Sequence, residues 1–462
     1  MSIRAKVMAG GFYLAVRQSI GMVISLGGVL LLTRLIGPEN YGLYTATFGI
    51  AWYLQIISQL GIEVYLVRRE EREEHVNVYH QAFTLLLILG FVGMGVGILS
   101  IPLLQSWTRL EGFAAVAQSI FLTLPIVLVA QVPMAKIERD LDYKRVAIVE
   151  LANQVIFFLV AIPLAFQGWG VWAPVAGWWV QQIQSLLLLL WVTRYRPRFY
   201  WDTKLVRQML GYSVGYSASS WIWQARILVS PMIVGRYAGA EAVGYIALAS
   251  RMVEVLGFIK NVTWRLSIAA LAKVQDDKER LRKAIDEGMG LQVLALGPPL
   301  VFLAWVLPLI LPILFGVKWL PVLQVYPFIA LASLTNSLFN LHCSVLYVLQ
   351  KNWEVTIFHL VNVVIFAVGA LVLIPQLGLV GYGWAEIAAF ISYGIIHRYA
   401  TRNVSQFNYG LPILWWAAFG AALFVWQLGW WMIGGLVIAA MVPATHQKIQ
   451  SYIVSFKESR HE

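Results

Sequence analysis

Long apolar runs separated by short polar stretches follow one another along nearly the whole chain. Each run approaches or exceeds the roughly 20 residues that a helix needs to cross the hydrocarbon core of a bilayer. The pattern therefore predicts about fourteen membrane-spanning helices, of which the last two can also be read as one over-long helix. The expected ranges are 12–33, 43–66, 81–104, 114–135, 146–166, 171–192, 209–234, 242–266, 289–313, 322–349, 353–374, 379–400, 411–428 and 430–447.

Composition supports this all-α, polytopic membrane class. The chain of 462 residues is 60% hydrophobic and 12% charged, whereas soluble domains carry about 25% charged residues. Tryptophans near the ends of the runs are typical of the interfacial aromatic belt; they include Trp169, Trp172, Trp178, Trp179, Trp415, Trp416, Trp430 and Trp431. Cys343 is the single cysteine, which excludes an intramolecular disulfide.

The positive charges indicate how the helices are oriented. The termini and the even-numbered connections hold 25 Lys and Arg residues, whereas the odd-numbered connections hold four, namely Arg34, Arg109, Arg236 and Lys318. The positive-inside rule then places both termini in the cytoplasm. The same rule accounts for the formal net charge of +11, so we expect no nucleic-acid partner.

One short motif occurs twice. The stretches RLIGPENYGLY and RYAGAEAVGYI share the pattern R-x-x-G-x-E-x-x-G, with an offset of 236 − 34 = 202 residues. The motif residues are Arg34, Gly37, Glu39 and Gly42 in the first copy, and Arg236, Gly239, Glu241 and Gly244 in the second. Both copies fall on connections predicted to be extracytoplasmic. Glycine permits a tight turn with positive φ, so we interpret both copies as structural turns, with ligand contact as the alternative.

The repeat predicts a duplicated architecture. Its offset spans six helices, and because six is even the two halves run parallel, a known transporter layout with the substrate site near the midplane between lobes. We expect a six-helix lobe at 1–192, a basic cytoplasmic linker at 193–208, a second lobe at 209–402, and two further helices with a tail at 403–462.

Several stretches of the chain resemble one protein family. They are LLTRLIGPENYGLYTATFGI at the first repeat, GIEVYLVRR at 61–69, IERDLDYKRVAIVELANQ at 137–154, IVGRYAGAEAVGYIALASRM at 233–252 and LIPQLGLVGYGWAEIAA at 373–389. These stretches are similar to the polysaccharide-biosynthesis (O-antigen type) flippases of the multidrug/oligosaccharidyl-lipid/polysaccharide exporter superfamily. Many relatives carry an Asn-Asp pair in helix seven, where this chain has WQARILVS with Arg226.

The resemblance implies a transporter rather than an enzyme, in the plasma (inner) membrane of a prokaryotic cell. Its substrate would be an oligosaccharide linked to polyprenyl pyrophosphate, carried from the cytoplasmic to the outer leaflet by alternating access. The implied partners are this substrate, membrane lipids, Na⁺ or H⁺ as a coupling ion, and the polysaccharide polymerase machinery. We expect a monomer that needs no cofactor and no metal.

Ionisable residues inside the spans are candidates for the transport site, because charges in a bilayer are costly and usually face a polar interior. The bases are Arg17, Arg226, Arg251, Lys260 and Arg265, and the acids are Glu63, Glu150, Glu254 and Glu386. Arginine forks suit pyrophosphate oxygens, so Arg17, Arg226 and Arg251 are the candidates for the pyrophosphate. Glu150, Glu254 and Glu386 are candidates for the coupling ion.

Competing interpretations attach to some of these residues. Arg17 and Arg226 lie in the first helix of each half and could form interhelical ion pairs, and Arg251 can pair with Glu254 one turn away. His342, His359 and His397 could relay protons, although ordinary packing explains each of them.

Two other function classes stay open. A drug/cation antiporter of the same superfamily should favour acids in its lumen, whereas here the bases outnumber the acids. A membrane glycosyltransferase or polysaccharide ligase could use Asp140 and Asp142 for a metal. The chain has no G-x-x-x-x-G-K-[ST] phosphate loop, so direct use of ATP is not expected.

Overall fold

The computed structural model describes residues 3–68, 76–257, 271 and 276–447, and these residues form helices joined by short connections, with no strand among them. The first seven helices are α1 (Ile3–Gln59), α2 (Ile62–Arg68), α3 (Val76–Thr108), α4 (Phe113–Phe121), α5 (Leu124–Arg139), α6 (Tyr143–Phe166) and α7 (Trp172–Thr193). They are followed by α8 (Thr203–Gln224), a 3₁₀ turn at Ala225–Leu228, a π-helical turn at Ser230–Val234 and α9 (Gly235–Leu256).

The remaining helices lie beyond residue 276. They are α10 (Lys278–Leu314), α11 (Val322–Val348), α12 (Asn352–Leu377), α13 (Leu379–Ala388), α14 (Tyr393–Asn403), α15 (Gly410–Leu423), α16 (Val425–Leu428) and α17 (Gly434–Met441). Short 3₁₀ turns occur at Val317–Trp319, Ala389–Ser392 and Trp430–Ile433.

The fold class predicted from the apolar runs is confirmed. Within the described residues, 9 helices are long and apolar enough to cross a membrane, and Gly410–Leu423 and Trp430–Met441 are shorter apolar helices. Every predicted span falls on helical segments, although the part of the span 242–266 beyond residue 257 lies outside the described residues. The chain is therefore a multi-pass, all-helical membrane protein.

The repeat turns are narrower than the predicted connections. Helix continues through 33–43 except at Gly37, which has φ 76° and ψ 172°. The second copy is interrupted only at Gly239, with φ 82° and ψ 178°. Because glycine reaches positive φ without a Cβ clash, one residue redirects the chain at each copy and no loop is needed.

Contacts between helices divide the chain into two units. Unit 1 comprises Met1–Ala247 with Leu314–Lys318, and unit 2 comprises Leu248–Ile313 with Trp319–Glu462. The second copy of the repeat therefore belongs to unit 1 together with the first. The lobes predicted from the repeat at 1–192 and 209–402 stay a prediction.

In unit 1, α1 packs closely against α6 along one face. Gln154 Nε2 donates to Gly21 O at 2.6 Å. Seven residues further along α1, a Cβ on Gly28 would lie 2.5 Å from the ring of Phe158. Glycine thus allows the Phe158 ring to lie directly against the α1 backbone, the kind of close approach that small residues provide in membranes.

Four of the tryptophans assigned to the interfacial belt form interhelical hydrogen bonds instead. In unit 1, Trp178 and Trp179 donate to Thr123 Oγ1 and Ser119 Oγ, both at 3.0 Å. In unit 2, Trp415 donates to Thr445 Oγ1 at 3.2 Å and Trp416 to Thr335 Oγ1 at 3.0 Å. An indole N–H in a dry helix interface needs an acceptor, and a hydroxyl on the facing helix supplies one. Trp169, Trp172, Trp430 and Trp431 are exposed, as a belt requires.

The basic connection before α8 is held against the first turns of α3. Tyr195 Oη donates to Tyr79 O at 3.0 Å and lies 3.1 Å from His80 Nδ1. The backbone N–H of Asp202 donates to Gln81 Oε1 at 2.6 Å. Burial raises the pKa of Tyr195, so its hydroxyl stays protonated and keeps donating. The predicted linker is thus an ordered segment of unit 1.

Asp202 also caps α8, and its replacement should destabilise the fold. Its Oδ1 accepts hydrogen bonds from Lys204 N at 2.8 Å and Leu205 N at 3.4 Å. Losing such an N-cap costs ~1 kcal/mol, so Asp202→Ala should lower the melting temperature in detergent. Asp276→Ala, at an exposed position, is the control. Equal melting temperatures for the two variants would contradict the capping role.

Candidate transport site

Arg17 forms an ion pair with a second helix. Its Nε lies 2.9 Å from Glu150 Oε2, which joins α1 to α6, and the two side chains are 29% and 33% exposed. Arg17 Nη1 also donates to Gln18 Oε1 at 2.9 Å. Of the two interpretations of Arg17, the structure shows the interhelical ion pair. It also brings a candidate for the pyrophosphate into contact with a candidate for the coupling ion.

Arg226 lies just after α8, where the helix of the predicted span 209–234 departs from α-helical geometry. It belongs to the 3₁₀ turn Ala225–Leu228, and the π-helical turn Ser230–Val234, which contains Pro231, follows two residues later. The Arg226 guanidinium carbon lies 5.3 Å from the centroid of the Trp223 ring. Such interruptions within a helix often occur at functional positions, and here one coincides with an arginine inside a predicted span.

Arg251 and Glu254 pair with each other on α9, as their spacing predicted. Arg251 Nη1 lies 3.2 Å from Glu254 Oε2, and the two side chains are 43% and 65% exposed. The pair accounts for part of the charge of both residues and weakens the case for either as a ligand. Lys260 and Arg265, the other two bases assigned to spans, lie outside the described residues.

Glu386 is the most enclosed of the predicted acids. It lies on α13, and its side chain is buried, with 6% relative exposure. Glu63 begins α2 and has one buried carboxylate oxygen without a hydrogen-bond partner within the described residues.

Two of the three predicted histidines meet at one tyrosine in unit 2. Tyr409 Oη lies 2.6 Å from His342 Nε2 and 2.7 Å from His397 Nδ1. Tyr409 lies just before α15, and burial raises its pKa, with Asp286 as a second cause. The chain pattern did not reveal this bridge, because Tyr409 lies in a short polar stretch without periodicity. The packing role favoured for these histidines fits the bridge.

The two aspartates proposed for a metal have local roles instead. Asp142 caps α6 by accepting from Arg145 N at 3.2 Å, and it forms an ion pair with the same arginine. Asp140 ends α5 as its C-cap residue. Within the described residues no group of three or more His, Cys, Asp or Glu side chains could hold a metal ion.

A cavity of about 360 Å³ lies at one end of unit 2, on α10 and α15. Its lining includes Asp286, Asn408, Trp415 and Gln447, and none of the residues predicted for the transport site lies in it. The Asp286 carboxylate accepts from Asn408 N at 2.9 Å and from Arg282 Nη1 at 2.9 Å. Its charge is thereby satisfied locally.

The two copies of the repeat meet in unit 1. A Cβ placed on Gly42 would lie 1.7 Å from Ala240 O, and one placed on Gly244 would lie 2.4 Å from Pro38 O. Both distances are far below van der Waals contact, so the backbones of the two repeat segments touch where these glycines lie. The glycine at the end of each motif is therefore required for close approach, whereas the glycine at its centre forms the turn.

A family model described as Polysaccharide biosynthesis protein matches residues 31–324. This chain belongs to that family. The matched range begins just before the first repeat and ends in α11, so it includes Arg226, Arg251 and both copies of the repeat. The resemblance inferred from the quoted stretches is confirmed.

Two curated relatives are similar to much of the chain. The succinoglycan biosynthesis transport protein ExoT of Rhizobium meliloti (strain 1021) is 24% identical over 314 residues, which cover 67% of this chain and 62% of that protein. The lipopolysaccharide biosynthesis protein WzxC of Escherichia coli (strain K12) is 24% identical over 348 residues, 74% of this chain and 69% of that protein. The chain thus matches less than two thirds of the length of ExoT.

Two solved structures share the fold. A structure of the lipid II flippase MurJ in an inward closed conformation has a TM-score of 0.72 at 12% identity and covers 97% of this chain and 99% of that chain. An inward-facing multidrug resistance transporter of the MATE family, in the MOP superfamily, has a TM-score of 0.62 at 14% identity and covers 85% and 98%. At these identities the two structures show a shared fold.

Proposed function

We propose that the chain is a flippase that moves a lipid-linked oligosaccharide from the cytoplasmic to the outer leaflet of the plasma membrane. The polysaccharide-biosynthesis family supports this proposal, and so do two relatives, a transport protein of succinoglycan biosynthesis and a lipopolysaccharide biosynthesis protein. The fold shared with a lipid II flippase supports it independently of sequence identity. Both termini would lie in the cytoplasm, as the distribution of Lys and Arg requires.

The arginines inside the first helix of each repeated half carry the choice of substrate. Arg17 is about one third exposed although it is ion-paired, and Arg226 lies at an interruption of its helix. A polyprenyl pyrophosphate presents negatively charged oxygens at the level of the headgroups, and arginine binds such oxygens through paired, charge-assisted hydrogen bonds. The sugar would pass with the pyrophosphate while the lipid tail stays in the bilayer.

Glu150 has a second role in this proposal. Its Oε2 lies 2.9 Å from Arg17 Nε. The Glu150 carboxylate would take the place of the pyrophosphate when the substrate is absent. Substrate binding then exchanges one anionic partner of Arg17 for another, so that the arginine is never left uncompensated in the membrane. Glu386 would be the site of the coupling ion, Na⁺ or H⁺, because it is the most buried of the predicted acids. The protein would act as a monomer beside the polymerase machinery.

Flipping should be measured directly in vesicles that contain the purified chain. A fluorescent polyprenyl pyrophosphate glycan is placed in both leaflets, and a membrane-impermeant reductant reports the fraction that becomes accessible outside. The expected result is loss of the protected fraction only in vesicles with protein. A chain that leaves this fraction unchanged, but drives proton-dependent efflux of an organic cation from the same vesicles, would be an antiporter and not a flippase.

A further inference from the structure

The arginine that begins the second repeat holds the end of α3. Arg236 Nη1 donates to Trp107 O at 2.7 Å, and its guanidinium carbon lies 4.3 Å from the centroid of the Trp107 ring. The Trp107 indole in turn donates to Met232 O at 2.8 Å. The Trp107 carbonyl is among the last four of its helix, which have no partner within the helix and which attract cations.

The arginine that begins the first repeat makes the corresponding contact. Arg34 Nη1 donates to Leu314 O at 3.2 Å, and Leu314 is the last residue of α10. The offset of 202 residues that relates Arg34 to Arg236 also maps α3 onto α10, because position 107 corresponds to position 309. Each repeat arginine therefore binds a carbonyl at the C-terminal end of a helix in the opposite half of the sequence, α10 for Arg34 and α3 for Arg236.

The repeat glycines that make the close contact each follow their arginine by eight residues, Gly42 after Arg34 and Gly244 after Arg236. Gly42 and Gly244 are both buried, and neither has room for a Cβ against the facing backbone. The glycine contact thus joins the two copies to each other, and each arginine joins its own copy to the end of α3 or α10. We call Arg34, Gly42, Trp107, Arg236, Gly244 and Leu314 the repeat gate; all six residues belong to unit 1.

We propose that the repeat gate closes the extracytoplasmic side of the transporter, with Arg34 and Arg236 as the positioning residues of the closed state. The proposal rests on the proposed function, because only a transporter must open this side to release its cargo. Separation of the first repeat and α3 from the second repeat and the end of α10 breaks both arginine contacts and the glycine contact together. Opening is therefore one cooperative step rather than a series of independent ones.

The two arginine contacts differ in strength. Arg236 combines a shorter hydrogen bond with the face of the Trp107 ring. Arg34 has the longer hydrogen bond, and the position that corresponds to Trp107 holds Leu309, which has no aromatic ring. A cation over a tryptophan ring adds to the attraction. Arg236 should thus contribute more to the closed state than Arg34.

The test measures the width of the repeat gate in the full-length chain, in lipid nanodiscs. Cys343, the single cysteine, is replaced by alanine, and spin labels are attached at Glu111→Cys and Lys318→Cys, exposed positions that follow α3 and α10. Pulsed electron-spin distances should show mainly a short separation in the parent chain. Arg236→Gln should increase the long-distance population at least threefold, and Arg34→Gln should increase it less.

Matched variants separate a gate from a general loss of structure. Arg109→Gln removes an exposed arginine on the same side and should leave the distances unchanged. Arg236→Lys keeps a donor and a cation and should restore most of the short distance. Gly42→Ala should widen the gate, whereas Gly27→Ala in the same helix, with nothing within 4 Å of its Cβ, should not.

Two results would overturn the proposal: parent-like distances in Arg236→Gln, or a larger effect of Arg34→Gln than of Arg236→Gln. The distance measurement needs no substrate, so the two proposals fail separately. A gate that opens as expected in a chain that does not flip lipid-linked glycans would refute the proposed function alone. Parent-like distances in a chain that flips them would refute the gate alone.

Discussion

Exchanging the two charges of the Arg17–Glu150 pair should slow flipping at least tenfold and leave the fold intact. The double variant Arg17→Glu/Glu150→Arg can restore an ion pair between α1 and α6, which in the parent chain has a separation of 2.9 Å. It removes the arginine from α1 and places a carboxylate there, where the pyrophosphate would meet a negative charge. Losing a hydrogen bond to a charged group costs about 1.5–3 kcal/mol, and each 1.4 kcal/mol is about tenfold. We therefore expect flipping to fall about tenfold to hundredfold or more.

The single variants identify the cause of that loss. Arg17→Gln should reduce flipping to a similar extent, because it removes the guanidinium without adding a negative charge. Glu150→Gln removes the competing carboxylate and should lower the concentration of substrate needed for half-maximal flipping. The readouts are the protected fraction in vesicles and the melting temperature in detergent. Restoration of flipping by the double variant would show that the pair only joins α1 to α6.

The helices could be predicted from the sequence because a membrane span is a local property of the chain. The apolar run from Asn352 to Leu377 forms a helix whatever its neighbours do, since a backbone in lipid must satisfy its hydrogen bonds within the segment. The positive φ of Gly37 and Gly239 follows from the repeat for a similar reason, because the motif places glycine where the chain turns. The predicted connections were too long, because a single glycine forms each turn.

The partners of the arginines could not be predicted in the same way. Arg17 and Glu150 are 150 − 17 = 133 residues apart, and their contact depends on how α1 and α6 are rotated about their axes. Arg34 and Arg236 bind backbone carbonyls, which every residue possesses, so no residue type marks the acceptor. A usable signal did exist: the same offset relates the two arginines and the two helices whose ends they bind.

The structure also changes the meaning of the repeat. A turn needs only one glycine with positive φ. Both copies nevertheless also contain a second glycine and an arginine at equivalent positions. The contacts explain this extra identity, because Gly42 and Gly244 touch the facing backbone and the arginines bind the C-terminal ends of α10 and α3. Both copies have glycine at this position because each lies against the backbone of the other, where neither has room for a Cβ.

Replacing Tyr409 by phenylalanine should destabilise unit 2, because it removes one hydroxyl that contacts two histidines. The hydroxyl lies 2.6 Å from His342 Nε2 and 2.7 Å from His397 Nδ1. His342 is fully buried, and its Nδ1 already lacks a partner within the described residues. A buried polar group left unpaired costs about 1–3 kcal/mol. The variant removes the partner of His342 Nε2, whereas His397 Nδ1 keeps Thr401 Oγ1 at 3.4 Å. The melting temperature in detergent should fall by several degrees.

Tyr200→Phe is the matched control, because Tyr200 is half-buried and no hydrogen bond of its hydroxyl occurs within the described residues. Its melting temperature should stay close to that of the parent chain. A Tyr409→Phe variant as stable as Tyr200→Phe would mean that the histidines find other partners. Since the bridge joins α11, α14 and the stretch before α15, its loss should also increase proteolysis around residues 404–409, where the backbone would no longer be held at Tyr409.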